Sequence, residues 1–203
     1  MNKMSSVIYN ILNWITRFAY LQLVWVLFTL VGGFLFGIFP ATVAMYAIIR
    51  AWLRGDTEIA IFQSFWKFYK NDFLKSNSLG VFLLLVGAII GLDLYYIQQT
   101  SDTLLSWTSA PLFAFMILFL LFVFYLFPAF VHYDLNNFSI MKNAFFIMLI
   151  HPLHSLLMLL GLASIAIIMY IIPALAFIFG ASTVSFITMW LSLHAFHHVS
   201  KKG

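Results

Sequence analysis

The sequence predicts an all-α, polytopic membrane protein, and three observations carry that reading. Of its 203 residues, 64% are hydrophobic and only 8% are charged. Its mean hydropathy is +1.04. Four stretches lack Asp, Glu, Lys and Arg altogether: Phe18–Ile49, Ser76–Leu92, Thr103–Val131 and Asn143–Ser200. A soluble domain is about half apolar and a quarter charged. Six acids and ten bases cannot cover a water-soluble globule of this size. That excludes a soluble enzyme and a disordered chain. The length of the uncharged runs indicates helices rather than a barrel.

A span needs roughly 20 residues. Asn143–Ser200, at 58 residues, therefore holds two helices, with Ile171-Ile172-Pro173 as the break. Phe18–Ile49, at 32 residues, is one long helix or a hairpin turned at Gly32, Gly33, Gly37 and Pro40. The positive-inside rule separates these readings. With a hairpin, Lys3, Arg17, Arg50, Arg54, Lys67, Lys70, Lys75, Lys142, Lys201 and Lys202 all fall on one side, ten bases of ten. With a single span, Lys3 and Arg17 cross over. The preferred reading is six helices with both termini cytoplasmic, five spans being the alternative. The chain is then a single membrane domain, 1–203, in the cell membrane. The outer turns lie near Gly37, Gln98–Ala110 and Pro173.

The expected helices are Ile15–Phe36, Pro40–Arg54, Leu79–Ile97, Pro111–Val131, Leu153–Ile171 and Ala174–His197. The second is short and would span only with local thinning or shielding by its neighbours. Residues 1–16 read as an interfacial lead-in, and the first apolar run is too long for a signal segment. Trp14, Trp25, Trp52, Trp66, Trp107 and Trp190 fall mostly near run ends, as interfacial anchors do. Gly80, Gly87 and Gly91 lie near one face of the third helix, which predicts close packing of that face on another helix. Phe39-Pro40-Ala41 recurs as Phe127-Pro128-Ala129, a hint of an internal repeat.

The segment between the second and third spans, 55–76, predicts a cytoplasmic amphipathic helix in the interface. Gly55 stops the preceding helix. Asp56 is placed to cap the next, with Glu58 in its first turn. Phe62, Phe65, Trp66, Tyr69 and Phe73 share one face, and Gln63, Lys67, Lys70 and Asn71 the other. Such a helix is a topological anchor on anionic headgroups or a docking surface for a partner. The residues nominated for a partner or lipid surface are Arg50, Arg54, Asp56, Trp66, Lys67, Tyr69 and Lys70.

Asp93 is the candidate intramembrane acid, and Asp134 is expected to pair with Arg50 or Arg54. The absence of cysteine excludes disulfides, thiolate metal sites and cysteine nucleophiles. His194, His197 and His198 form HAFHH, and His151 and His154 form HPLH. HAFHH matches one histidine box of membrane di-iron desaturases, but that chemistry needs several. A histidine near a helix C-terminus needs no metal to explain it. No metal, cofactor or catalytic residue is assigned. The bases sit between apolar runs, so they read as topology determinants and lipid contacts rather than as a nucleic-acid surface.

The stretch YLQLVWVLFTLVGGFLFGIFPATVAMYAIIRAWLRGD, followed by FWKFYKNDFLKSN, resembles the YesL family of Gram-positive multi-pass membrane proteins, a domain of unknown function (624). The resemblance rests on Gly37, Phe39, Pro40, Ala41, Arg54, Gly55, Asp56, Phe65, Trp66, Lys67, Tyr69, Lys70 and Phe73. It covers the first hundred residues well. Family members are typically encoded beside components of sugar ABC importers and polysaccharide-degrading enzymes. The resemblance therefore implies a non-enzymatic accessory role in carbohydrate uptake, with an importer permease or a membrane sensor as partner. It implies no reaction. The alternative is a small-molecule transporter or channel in its own right, suggested by the broken Gly32–Pro40 segment.

Overall fold

In the computed structural model, the described residues are 3–99 and 103–200, with side chains described over 7–97 and 110–196. They form eight helices: α1 (Lys3–Val31), α2 (Leu35–Leu53), α3 (Ile61–Asn71), α4 (Phe73–Gln99), α5 (Thr103–His132), α6 (Asn137–Ile150), α7 (Pro152–Ile171) and α8 (Pro173–Ser200). Six are long and apolar enough to cross a membrane: α1, α2, α4, α5, α7 and α8. The chain is thus a multi-pass helical membrane protein. The first uncharged run is the hairpin α1–α2, and the lead-in is continuous with α1.

Glycine makes that hairpin possible. Gly33, at φ 72°, follows α1. Its N–H bonds the Leu30 carbonyl at 3.0 Å, and the Phe34 N–H bonds the Thr29 carbonyl at 2.9 Å. This is a Schellman cap, which satisfies carbonyls that a helix end leaves open. Gly32 and Gly37 then meet backbone to backbone, with no room for a Cβ on either. Gly55, at φ 99°, ends α2 the same way, through Gly55 N–H to Trp52 and Asp56 N–H to Ala51.

α2 is the hub, packed by α1, α3, α4, α5 and α8. It buries Ala41, Val43, Ala44, Met45, Tyr46, Ile48, Ile49 and Trp52. It also begins five residues before Pro40, so its length is adequate and its neighbours shield it. Polar side chains join the spans. Trp25 Nε1 donates to Thr42 Oγ1 at 3.1 Å, the Tyr46 hydroxyl lies 2.8 Å from Thr188 Oγ1, and Gln22 Oε1 accepts the Ser182 N–H at 3.0 Å. Such bonds tie apolar helices that hydrophobicity alone does not pull together.

The amphipathic helix expected within 55–76 forms as α3, packed on α2. Glu58, just before α3, bonds Arg17 of α1, and Tyr69, near its end, presses on Gly32. Three expectations are corrected. First, α6 is a helix in its own right, packed on α5 as α3 is on α2. Each short helix breaks into the next span, at Asp72 and at His151 respectively. Second, the two Phe-Pro-Ala segments do not correspond, since Pro40 lies near the start of α2 and Pro128 near the end of α5. Third, only Gly80 of the α4 glycines is covered, by the ring of Phe39; Gly87 and Gly91 have nothing within 4 Å.

Candidate functional site

Two features gather the polar chemistry at one end of the bundle. The first is α3. Arg17 donates to the Thr57 carbonyl and to Glu58 Oε1 at 2.9 Å. That bond and the guanidinium charge hold the Glu58 carboxyl below its usual range. From this anchor α3 lays four rings around Phe28. Its centroid lies 5.7 Å from Phe62, 5.1 Å from Phe65, 5.6 Å from Trp66 and 5.2 Å from Tyr69. Residues three and four apart share a helix face, so the aromatic stripe read in the sequence is the docked face.

Phe65 and Tyr69 are buried, whereas Phe62 and Trp66 stay about half exposed and Lys67 and Lys70 are exposed. Tyr69 is therefore a core residue and leaves the nominated surface: its hydroxyl is wedged against Gly32 with no hydrogen-bond partner. Burial pushes its phenol up.

The second feature is a cavity of about 480 Å³ between the ends of α2 and α5 and the α3–α4 junction. Arg50, Arg54 and Asp56 line one wall, Asp72 and Lys75 another, and Phe130, His132, Tyr133 and Asp134 a third. The Gly55 cap places Asp56 at the end of α2, not as the N-cap of α3, where Ala60 stands without a side-chain bond. Asp134 pairs with Lys75 at 4.0 Å, not with Arg50 or Arg54. Lys75 Nζ also sits 5.0 Å over the Phe130 ring. Asn137 Nδ2 donates to the Lys75 carbonyl at 3.0 Å, which fastens α6 to the start of α4. Burial pushes the Asp72 carboxyl up, with Asp134 adding to it and Lys75 opposing. Burial also raises the Tyr133 phenol. Arg50 is half-buried, and its Nε is buried without a hydrogen-bond partner.

Of the nominated residues, the structure brings together Arg50, Arg54 and Asp56, and separately Trp66, Lys67 and Lys70. Asp93 joins neither; it is exposed toward the far end of α4. The sequence reading missed Asp72, Lys75, His132 and Tyr133 as cavity residues. The available signal was that charges flanking two successive spans fall at the same end. His194 is exposed; its Nδ1 lies 2.8 Å from the Trp190 carbonyl. The rings of His151 and His154 meet at 5.5 Å. The side chains of Trp107, His197 and His198, residues 100–102 of the turn expected at Gln98–Ala110, and Lys201 and Lys202 lie outside the described residues.

Comparison with known proteins places these features in a family. The model described as "Protein of unknown function, DUF624" matches residues 18–94, which hold α2, α3 and the Arg54-Gly55-Asp56 cap. The chain is 35% identical to the uncharacterized protein YteU of Bacillus subtilis, across 87% of this chain and 79% of that protein. It is 33% identical to YesV of the same organism (90% and 88%) and 30% identical to YesL (94% and 90%). No solved structure matches. With relatives aligned over nearly its whole length, the chain belongs to the YesL family of multi-pass membrane proteins, DUF624.

Proposed function

We propose that the protein is a non-enzymatic accessory component of carbohydrate import in the cytoplasmic membrane. Its partner is the permease of a sugar ABC importer or a membrane sensor of the same system. The observation that carries this reading is the two-sidedness of α3. One face is fixed by Phe28, while Trp66, Lys67 and Lys70 stand outward on the same rigid helix. A half-exposed tryptophan beside cations suits recognition at a membrane-level interface. The carbohydrate context comes from the resemblance to a family encoded beside importer components. The orientation, with both termini and the charged cavity toward the cytoplasm, follows from the positive-inside rule.

The test is the double change Lys67→Glu, Lys70→Glu. Each interfacial lysine contributes about 1 kcal/mol of attraction to anionic lipid, and the spans carry the fold. Purification yield and helicity should stay normal, and co-purification of importer subunits from native membranes should be lost. A double variant that retains every partner of the parent contradicts the docking reading. One that fails to insert makes the lysines topology determinants only.

A transporter reading is favoured by one further observation. α3 and α6 are each separated from the following span only by a break, at Asp72 and at His151, and broken helices build substrate sites in transporters. Uptake of labelled sugar by proteoliposomes holding only this protein would support it over the accessory role.

A further inference from the structure

The charged cavity bears on a question separate from the importer reading. Arg50 lies in the last turn of α2 and Arg54 at its C-cap, four residues on, and both line the cavity. Neither pairs with an acid among the described residues, although three acids share the space. The buried Arg50 Nε has no hydrogen-bond partner. Two guanidinium groups held together with a buried donor unsatisfied are costly unless an anion joins them. The planar fork of arginine matches phosphate oxygens two at a time.

The other two walls set what else the anion carries. Lys75 pairs with Asp134 and is held over Phe130. Asp72 and Asp134 offer carboxyl oxygens, which accept hydroxyl hydrogens and repel a second anionic group. A volume of about 480 Å³ suits a small polar molecule, small-ligand sites running from roughly 300 to 1,000 Å³. We infer that this cavity binds a polyol phosphate, its phosphate gripped by Arg50 and Arg54 and its hydroxyls by Asp72 and Asp134. Because the cavity opens where spanning helices end, the same chemistry has two sources: the headgroup of phosphatidylglycerol, or a soluble polyol phosphate.

The full-length protein in detergent tests this in two arms. Native mass spectrometry measures retention of phosphatidylglycerol against phosphatidylcholine, and thermal-shift titration measures glycerol phosphate. Binding in the first arm identifies the lipid and binding in the second the soluble ligand; either supports the site. The Arg50→Gln, Arg54→Gln variant should bind about tenfold more weakly or worse. The Lys142→Gln variant, which removes a cation on α6 outside the cavity, should bind as the parent does. Should the first variant not fold, Arg50→Lys, Arg54→Lys keeps the charge and removes the fork, and it should also bind more weakly. Failure to bind either probe overturns the inference. So does an equal loss in the lysine variant, or parental affinity in the arginine-to-lysine variant.

Discussion

Gly32 and Gly87 look alike in the sequence, each a glycine inside a long apolar run, yet they predict opposite responses to a side chain. A methyl at Gly32 meets Gly37 and the Tyr69 hydroxyl, so Gly32→Ala should destabilise by about 1–3 kcal/mol. Gly87 faces open space, so Gly87→Leu should leave thermal stability in detergent unchanged. Asp72 gives a pH test. Its folded-state carboxyl is raised by burial, so the folded protein holds that proton more tightly than the unfolded chain does. Stability is then reduced above the raised value and recovers as pH falls through it toward the ordinary carboxylate range near about 4. Asp72→Asn should raise Tm at neutral pH, and that gain should vanish in a scan at about pH 4. Glu58 runs the other way: its carboxyl is depressed by Arg17, and its contribution is lost as pH falls through the depressed value. At this scale the sequence was read well for type and less well for role. Arg54-Gly55-Asp56 marked a helix end. Whether Asp56 closes α2 or opens α3 depends on where α3 begins, which packing on Phe28 decides.

Among the elements, α3 carries the clearest contrast between pattern and position. Its aromatic and basic faces were legible, because a period of 3.6 separates them. What lies against the aromatic face was not, since Phe28 is distant in sequence and sits in an apolar run without distinguishing marks. Phe28 is only 4% exposed and touches four α3 rings. Phe28→Ala should therefore cost about 3 kcal/mol or more and should release Lys67–Lys70 to proteolysis. Trp66→Ala should cost much less, because that ring is half exposed. α6 was hidden for a related reason. From Asn143 on it lies within an uncharged run that continues into the next span, so only its Asn136 cap, accepting from Ser139 N–H at 3.0 Å, and Pro152 mark its ends.

Taken whole, the molecule is three helical hairpins, α1–α2, α4–α5 and α7–α8, joined by α3 and α6. Hydropathy and charge were enough to count the spans, because lipid leaves few alternatives for uncharged runs. They could not show that α2, the shortest span, is the one the others surround. That arrangement predicts reporter fusions after Gly37 on the side opposite to fusions after Gly55 and at both termini; Gly37 and the N-terminus on one side would contradict it. The functional claim is that α3 offers its outward face to an importer partner, and a photo-crosslinking residue at Trp66 in native membranes tests it most directly. The account predicts a covalent adduct with a sugar-importer permease subunit or its membrane sensor. Adducts with lipid alone, or with a second copy of this chain alone, would contradict it.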